Sequence, residues 1–171
     1  MTSITPTGRV LAITPSSKGF GFAVLEEPVR LVDWGVKSVS KNKNAQSIVK
    51  VQELITLYTP QLLAVPDDLD IKSRRSERVR QLIRDIIQVA EKSGVEVHKS
   101  AQEEVREHFF NARPATRHDV ATFVAKAFPG ELGPHLPPKR QFWMSEDYRM
   151  NIFSAVALAI TSQWNQEKLK S

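Results

Sequence analysis

The sequence predicts a mixed α/β domain: a five-stranded sheet, antiparallel over its first three strands and parallel over its last two, with helices packed on its faces. Three observations predict it. The first forty residues carry three short apolar runs joined by turn residues. Strand and helix signals then alternate. A helical stripe of Val79, Leu82, Ile83, Ile86, Ile87 and Ala90 marks a helix that must bury one face.

Gly8-Arg-Val-Leu-Ala-Ile-Thr14 has the apolar run of a buried strand, closed by the turn residues Pro15-Ser-Ser-Lys-Gly19. Phe20, Phe22 and Val24 alternate with Gly21 and Ala23, and Glu26-Glu-Pro28 turns the chain into Leu31-Val-Asp-Trp-Gly-Val36, completing a meander. Ile48, Val51, Ile55 and Tyr58 recur with helical spacing and stop at Pro60. Leu62-Leu-Ala-Val65 is the fourth strand. The Val79 stripe predicts a helix from near Ser73 to a stop at Gly94, and Val95-Glu-Val-His98 is the fifth strand. Helices are predicted over 101–110 and 116–128, the second opened by Thr116 and Asp119 at capping-box spacing. Prolines and glycines crowd residues 129–138 into a stiff loop. The last helix is predicted over 145–168, with Ser145 as its cap and Glu146 and Asp147 in its first turn, where the helix dipole favours acids.

With 171 residues, 41% hydrophobic and 25% charged, residues 1–171 suffice for one domain with its own core, needing no disulfide or structural metal. The absence of cysteine excludes thiolate zinc sites and cysteine nucleophiles. No apolar run approaches the roughly 20 residues that span a bilayer, and the first residues lack signal-peptide character, so the cytoplasm is the expected compartment. The histidines, His98, His108, His118 and His135, show no metal-ligand spacing.

A net charge of +5 points to an anionic partner only if the cations cluster. They do between Lys72 and Arg84, where Lys72, Arg74, Arg75, Arg78, Arg80 and Arg84 face only Glu77 and, next door, Asp85. On a helical wheel Arg74, Arg78 and Arg84 lie opposite the apolar stripe. Lys37, Lys41, Lys43 and Lys50 form a second basic stretch, and Arg113, Arg117 and His118 a third. Such stretches suit phosphate contacts, and they also suit a solvated helix face. Phe142 and Trp143, ahead of the last helix, fit a hydrophobic staple, an oligomer contact or a stack for an unpaired base.

Four segments stand in order along the chain: Val10-Leu-Ala-Ile-Thr-Pro-Ser-Ser17 with Gly19-Phe-Gly-Phe22, Leu62-Leu-Ala-Val-Pro-Asp67, Ala112-Arg-Pro-Ala-Thr-Arg-His-Asp-Val120 with the helix after it, and Asn151-Ile-Phe-Ser-Ala-Val-Ala-Leu-Ala-Ile-Thr161. Together they resemble the RuvC-type Holliday junction resolvases of the ribonuclease H-like superfamily. The resemblance implies a ribonuclease H-like fold, a nucleic-acid substrate, a dimer and a two-metal carboxylate site. It also places Thr14, Pro66, Asn151 and Ser154 at the family's four catalytic acid positions, and none of these is a carboxylate. Neutral oxygens are poor substitutes, because anionic ligands offset the cost of partly dehydrating Mg²⁺ or Mn²⁺.

The expectation is therefore a catalytically degenerate RuvC-like domain, without a cofactor, that acts as a scaffold or binds branched or structured DNA or RNA, the latter through Lys72, Arg74, Arg75, Arg78, Arg84, Arg113, Arg117 and His118. Two alternatives stand beside it. One is a Mg²⁺- or Mn²⁺-dependent endonuclease with its site relocated to Asp67, Asp68 and Asp147. The other is a protein-interaction module that forms a homodimer through the helix over 73–92.

Overall fold

The computed structural model describes residues 8–111 and 115–170. Its sheet is built from β1 (Val10–Ser16), β2 (Gly19–Glu26), β3 (Arg30–Ser38), β4 (Leu62–Pro66) and β5 (Glu96–Ser100), in the spatial order β3-β2-β1-β4-β5. The first three strands pair antiparallel, and β4 pairs parallel with both β1 and β5. The helices are α1 (Lys43–Tyr58), α2 (Glu77–Lys92), α3 (Gln102–Phe110), α4 (Arg117–Ala127) and α5 (Met150–Lys170). The predicted mixed five-stranded sheet flanked by helices is the fold observed. No helix among the described residues is long and apolar enough to cross a membrane.

Because neighbouring strand residues point to opposite faces, each strand supplies two cores. Leu11, Ile13, Phe22, Val24, Leu63 and Val65 meet Val51, Leu54 and Ile55 of α1 and Val79, Leu82, Ile83 and Ile86 of α2. Val10, Ala12, Ala23, Leu25, Leu62 and Ala64 meet α4 and α5 on the other face. The alanines on that second face keep it low, so α5 lies close to the sheet. The helix comes especially near at Gly21, where an added Cβ would sit 2.4 Å from the Asn151 carbonyl oxygen. Only glycine allows the first turn of α5 to rest there.

Two helix starts differ from the sequence prediction. The α2 helix begins at Glu77, with the Ser76 hydroxyl accepting from the Val79 N–H at 3.2 Å, so Lys72 to Arg75 form a loop rather than a helical turn. The α5 helix begins at Met150, and Ser145, Glu146 and Asp147 lie before it. The reason is local: the Asp147 carboxylate accepts the Arg149 backbone N–H at 2.9 Å, an Asx-type turn that competes with a helical start. The capping box of α4 forms as predicted, with Thr116 and Asp119 reciprocally bonded.

Candidate functional site

Parallel pairing puts the carboxyl ends of β1 and β4 on the same edge of the sheet, and open α/β sheets bind ligands in crevices outside such ends. A cleft of about 620 Å³ opens there. Its walls are Thr14 to Lys18 of β1 and its turn, Pro66 of β4, Ser73 to Arg75 and the N-terminal parts of α3, α4 and α5. The 145–148 loop completes it. All four positions matched to the resolvase acids, Thr14, Pro66, Asn151 and Ser154, line this one cleft.

The side-chain oxygens at three of these positions already have partners. The Thr14 hydroxyl is buried, 3.1 Å from the Asn151 carbonyl and 3.3 Å from the Gly21 carbonyl, so it donates to the main chain. Pro66 has no side-chain oxygen. Arg117, the first residue of α4, donates its Nε–H to Ser154 Oγ at 2.8 Å and an Nη2–H to Asn151 Oδ1 at 3.0 Å. Its Nη1 pairs with Glu146. One guanidinium therefore organises the oxygens of two matched positions.

Arg75 stands close to it. Burial holds the Arg75 guanidinium below its ordinary pKa, with Asp70 opposing that effect and the positive charges of Arg117 and Arg80 reinforcing it. Its side chain donates to Ser73 Oγ at 2.7 Å and forms no ion pair with any described carboxylate. Arg74, Lys18 and Arg106 also line the cleft. Two guanidiniums brought together at a cleft, one without a carboxylate partner, favour an anion. Asp147 lines the cleft too, but both its oxygens hold Arg149, at 3.0 and 2.7 Å, and that hydrogen bonding keeps its carboxyl below the usual carboxylate range.

Folding separates the other predicted residues. Asp67 accepts the Leu69 N–H at 3.0 Å, and buried Asp68 faces Lys99 at 3.5 Å and Arg84 at 3.7 Å; neither lines the cleft. Lys72 pairs with Glu103 at 2.7 Å and Arg84 with Glu77 at 2.5 Å. Arg78 bonds Asn44 and the Ser16 carbonyl, while Arg80 binds the carbonyls of Asp68, Asp70 and Ser73. The Arg78 and Arg84 side chains expected to face solvent are half-buried in these contacts. His118 binds the Pro137 carbonyl at 3.0 Å, away from the cleft lining, and Arg113 lies outside the described residues. Sequence reasoning missed Lys18 and Arg106. The spacing of Gln102, Val105 and Arg106 on one face of α3 was the available signal for the second.

The divalent metals implied by the fold resemblance do not fit these residues. The Thr14 hydroxyl is directed at carbonyls, and Asn151 and Ser154 accept from a cation. Among the described residues no three His, Asp or Glu side chains gather closely enough to hold a metal ion.

Sheet order, strand directions and the cleft at the carboxyl edge define a ribonuclease H-like α/β fold of the RuvC type. The solved structures that share it include RuvC of Thermus thermophilus, at a TM-score of 0.69 and 17% identity over 94% of this chain and 96% of that one. T. thermophilus RuvC in complex with a Holliday junction substrate matches at 0.69 and 18%, with the same coverage. The yeast mitochondrial Holliday junction resolvase Ydc2 matches at 0.59 and 16%, over 99% of this chain and 83% of that one. At these identities the likeness is one of fold. No protein-family model and no curated protein matches the sequence.

Proposed function

We propose that this protein binds branched nucleic acid through phosphate contacts in the cleft and does so without divalent-metal catalysis. The observation that carries the reading is the Arg117 guanidinium, bonded to Asn151 and Ser154 where a resolvase would place carboxylates, with Arg75, which has no ion pair among the described residues, beside it. A fixed guanidinium is a strong phosphate ligand, with fork geometry that suits two phosphate oxygens. T. thermophilus RuvC, which shares the fold, has been captured on a Holliday junction, and that supports a junction as the first substrate to test.

The test is fluorescence anisotropy with a labelled four-way DNA junction, in Mn²⁺ and in EDTA, with strand integrity followed in the same samples. Binding is expected in both, without cleavage. About four phosphate contacts correspond to roughly a hundredfold loss of affinity between 50 and 200 mM salt. Cleavage in Mn²⁺ that Asp67→Asn, Asp68→Asn or Asp147→Asn abolishes would overturn the reading in favour of a nuclease with displaced carboxylates.

A further inference from the structure

The loop between the 3₁₀ turn Gly133–His135 and α5 carries a feature the cleft does not use. Phe142 is 93% exposed and Trp143 69% exposed, so neither staples the start of α5. Their rings meet edge to face, with centroids 4.9 Å apart and planes at 84°. In that arrangement the edge of one ring covers one face of the other, leaving the remaining faces open. Tyr148, 63% exposed, follows in the same loop and lines the cleft together with Ser145, Glu146 and Asp147. Trp143 is two residues from Ser145, which places its Cα within about 7 Å of the cleft wall.

Charge says what kind of partner this pair suits. Lys139 and Arg140, just before the aromatics, are exposed and make no hydrogen bond or ion pair among the described residues. Arg74, Arg75 and Arg117 line the cleft that residues 145–148 of this same loop also line. Protein interfaces deplete lysine around their aromatic cores, whereas open aromatic faces set among unpaired cations are the pattern of single-strand nucleic-acid grooves.

We propose that Phe142 and Trp143 form a stacking platform for an unpaired base whose strand runs with its phosphates in the Arg75–Arg117 cleft. This rests on the phosphate-binding reading above and deepens it. Bases inside a continuous duplex are already stacked on their neighbours and cannot use the platform, so it selects gaps, branch points and single-stranded segments over uninterrupted duplex.

The experiment compares a duplex carrying a short gap, with 2-aminopurine in the gap, to a continuous duplex of the same sequence. Wild-type protein, Phe142→Ala/Trp143→Ala and Arg117→Ala are each titrated at low salt. Wild type is expected to bind the gapped DNA about tenfold more tightly and to quench the 2-aminopurine fluorescence on binding. The aromatic double variant should lose both the preference and the quench while keeping its affinity for continuous duplex. Circular dichroism should confirm that this variant, altered at two exposed side chains, stays folded. Arg117→Ala should weaken both DNAs together. Equal wild-type affinity for the two DNAs, or a quench that survives in the double variant, would overturn the platform and leave the phosphate reading standing. So would a wild-type dimer in sedimentation that the aromatic substitutions dissolve without changing DNA binding. Failure of wild type to bind either DNA would overturn both.

Discussion

Arg117 and Ser154 lie 37 residues apart in sequence, yet Nε of the first donates to Oγ of the second across 2.8 Å. With the parallel bond from Nη2 to Asn151 Oδ1 at 3.0 Å, a single guanidinium pins the first turn of α4 to the first two turns of α5. Those bonds fix the orientation of the cation, and N–H groups on both Nη atoms remain to meet an anion. Preorganisation of this kind removes the rotamer entropy that a free surface arginine loses when it binds a phosphate.

Arg117→Ala should therefore lower junction affinity about tenfold to a hundredfold. Arg117→Lys should restore only part of it, because an ammonium keeps the charge and loses the fork. Anisotropy at fixed salt checks both. Equal affinity for the lysine variant and wild type would show that charge alone matters.

Glu146 pairs with Arg117 from the cleft rim and competes with any anion for that guanidinium. Glu146→Gln should raise junction affinity several-fold and steepen its salt dependence. Unchanged affinity would mean that the phosphate bypasses Arg117.

Placing acids at two of the matched positions should not by itself create a metal site. In Asn151→Asp/Ser154→Asp the new carboxylates lie within hydrogen-bond reach of Arg117 and pair with it. Calorimetric titration with Mn²⁺ should show only heat of dilution. A saturable heat would indicate that the arginine yields to the metal.

Thr14→Asp should destabilise the fold by about 3 kcal/mol, because a buried carboxylate would replace a donor facing two carbonyl oxygens at 3.1 and 3.3 Å. Thr14→Val, which removes the donor without adding charge, should cost about 1 kcal/mol. Urea denaturation separates the two.

Stability should also fall in alkali for a reason unconnected with the cleft. Burial, followed by the hydrogen bond to Asp33, raises Tyr58 from 10.0 to about 12. The folded state favours the neutral phenol, so this contribution is complete below pH 10 and is lost as pH rises from 10 to 12. Tyr58→Phe should remove that limb from a plot of stability against pH, and an unchanged limb would place its origin elsewhere.

Much of the architecture was legible in the residues. The alternation of Phe20, Phe22 and Val24, the stripe on α2 and the Thr116–Asp119 box each reflect bonds and packing within a few residues. The start of α5 was not, because an Asp147 side chain bonded to Arg149 outcompeted the cap expected at Ser145. Nor was the fate of the basic run from Lys72 to Arg84. Arg78 is occupied by Asn44 and Ser16, and Lys72 by Glu103, partners that only folding brings near. Arg74 and Arg75, in the loop before α2, are the members of that run that reach the cleft.

The sheet and its two cores follow from the order of residues along the chain, because side-chain alternation and helical spacing dictate which faces must leave water. That Thr14, Pro66, Asn151 and Ser154 carry no carboxylate follows from the chain as well, since folding does not change what a residue is. What stands among them instead depends on how the helices pack. Arg117 reaches Asn151 and Ser154 because α4 and α5 pack on the same low, alanine-lined face of the sheet, with Gly21 admitting α5 close enough to complete the cleft. A charge pattern along a chain cannot specify that meeting, because it depends on contacts between residues far apart in sequence.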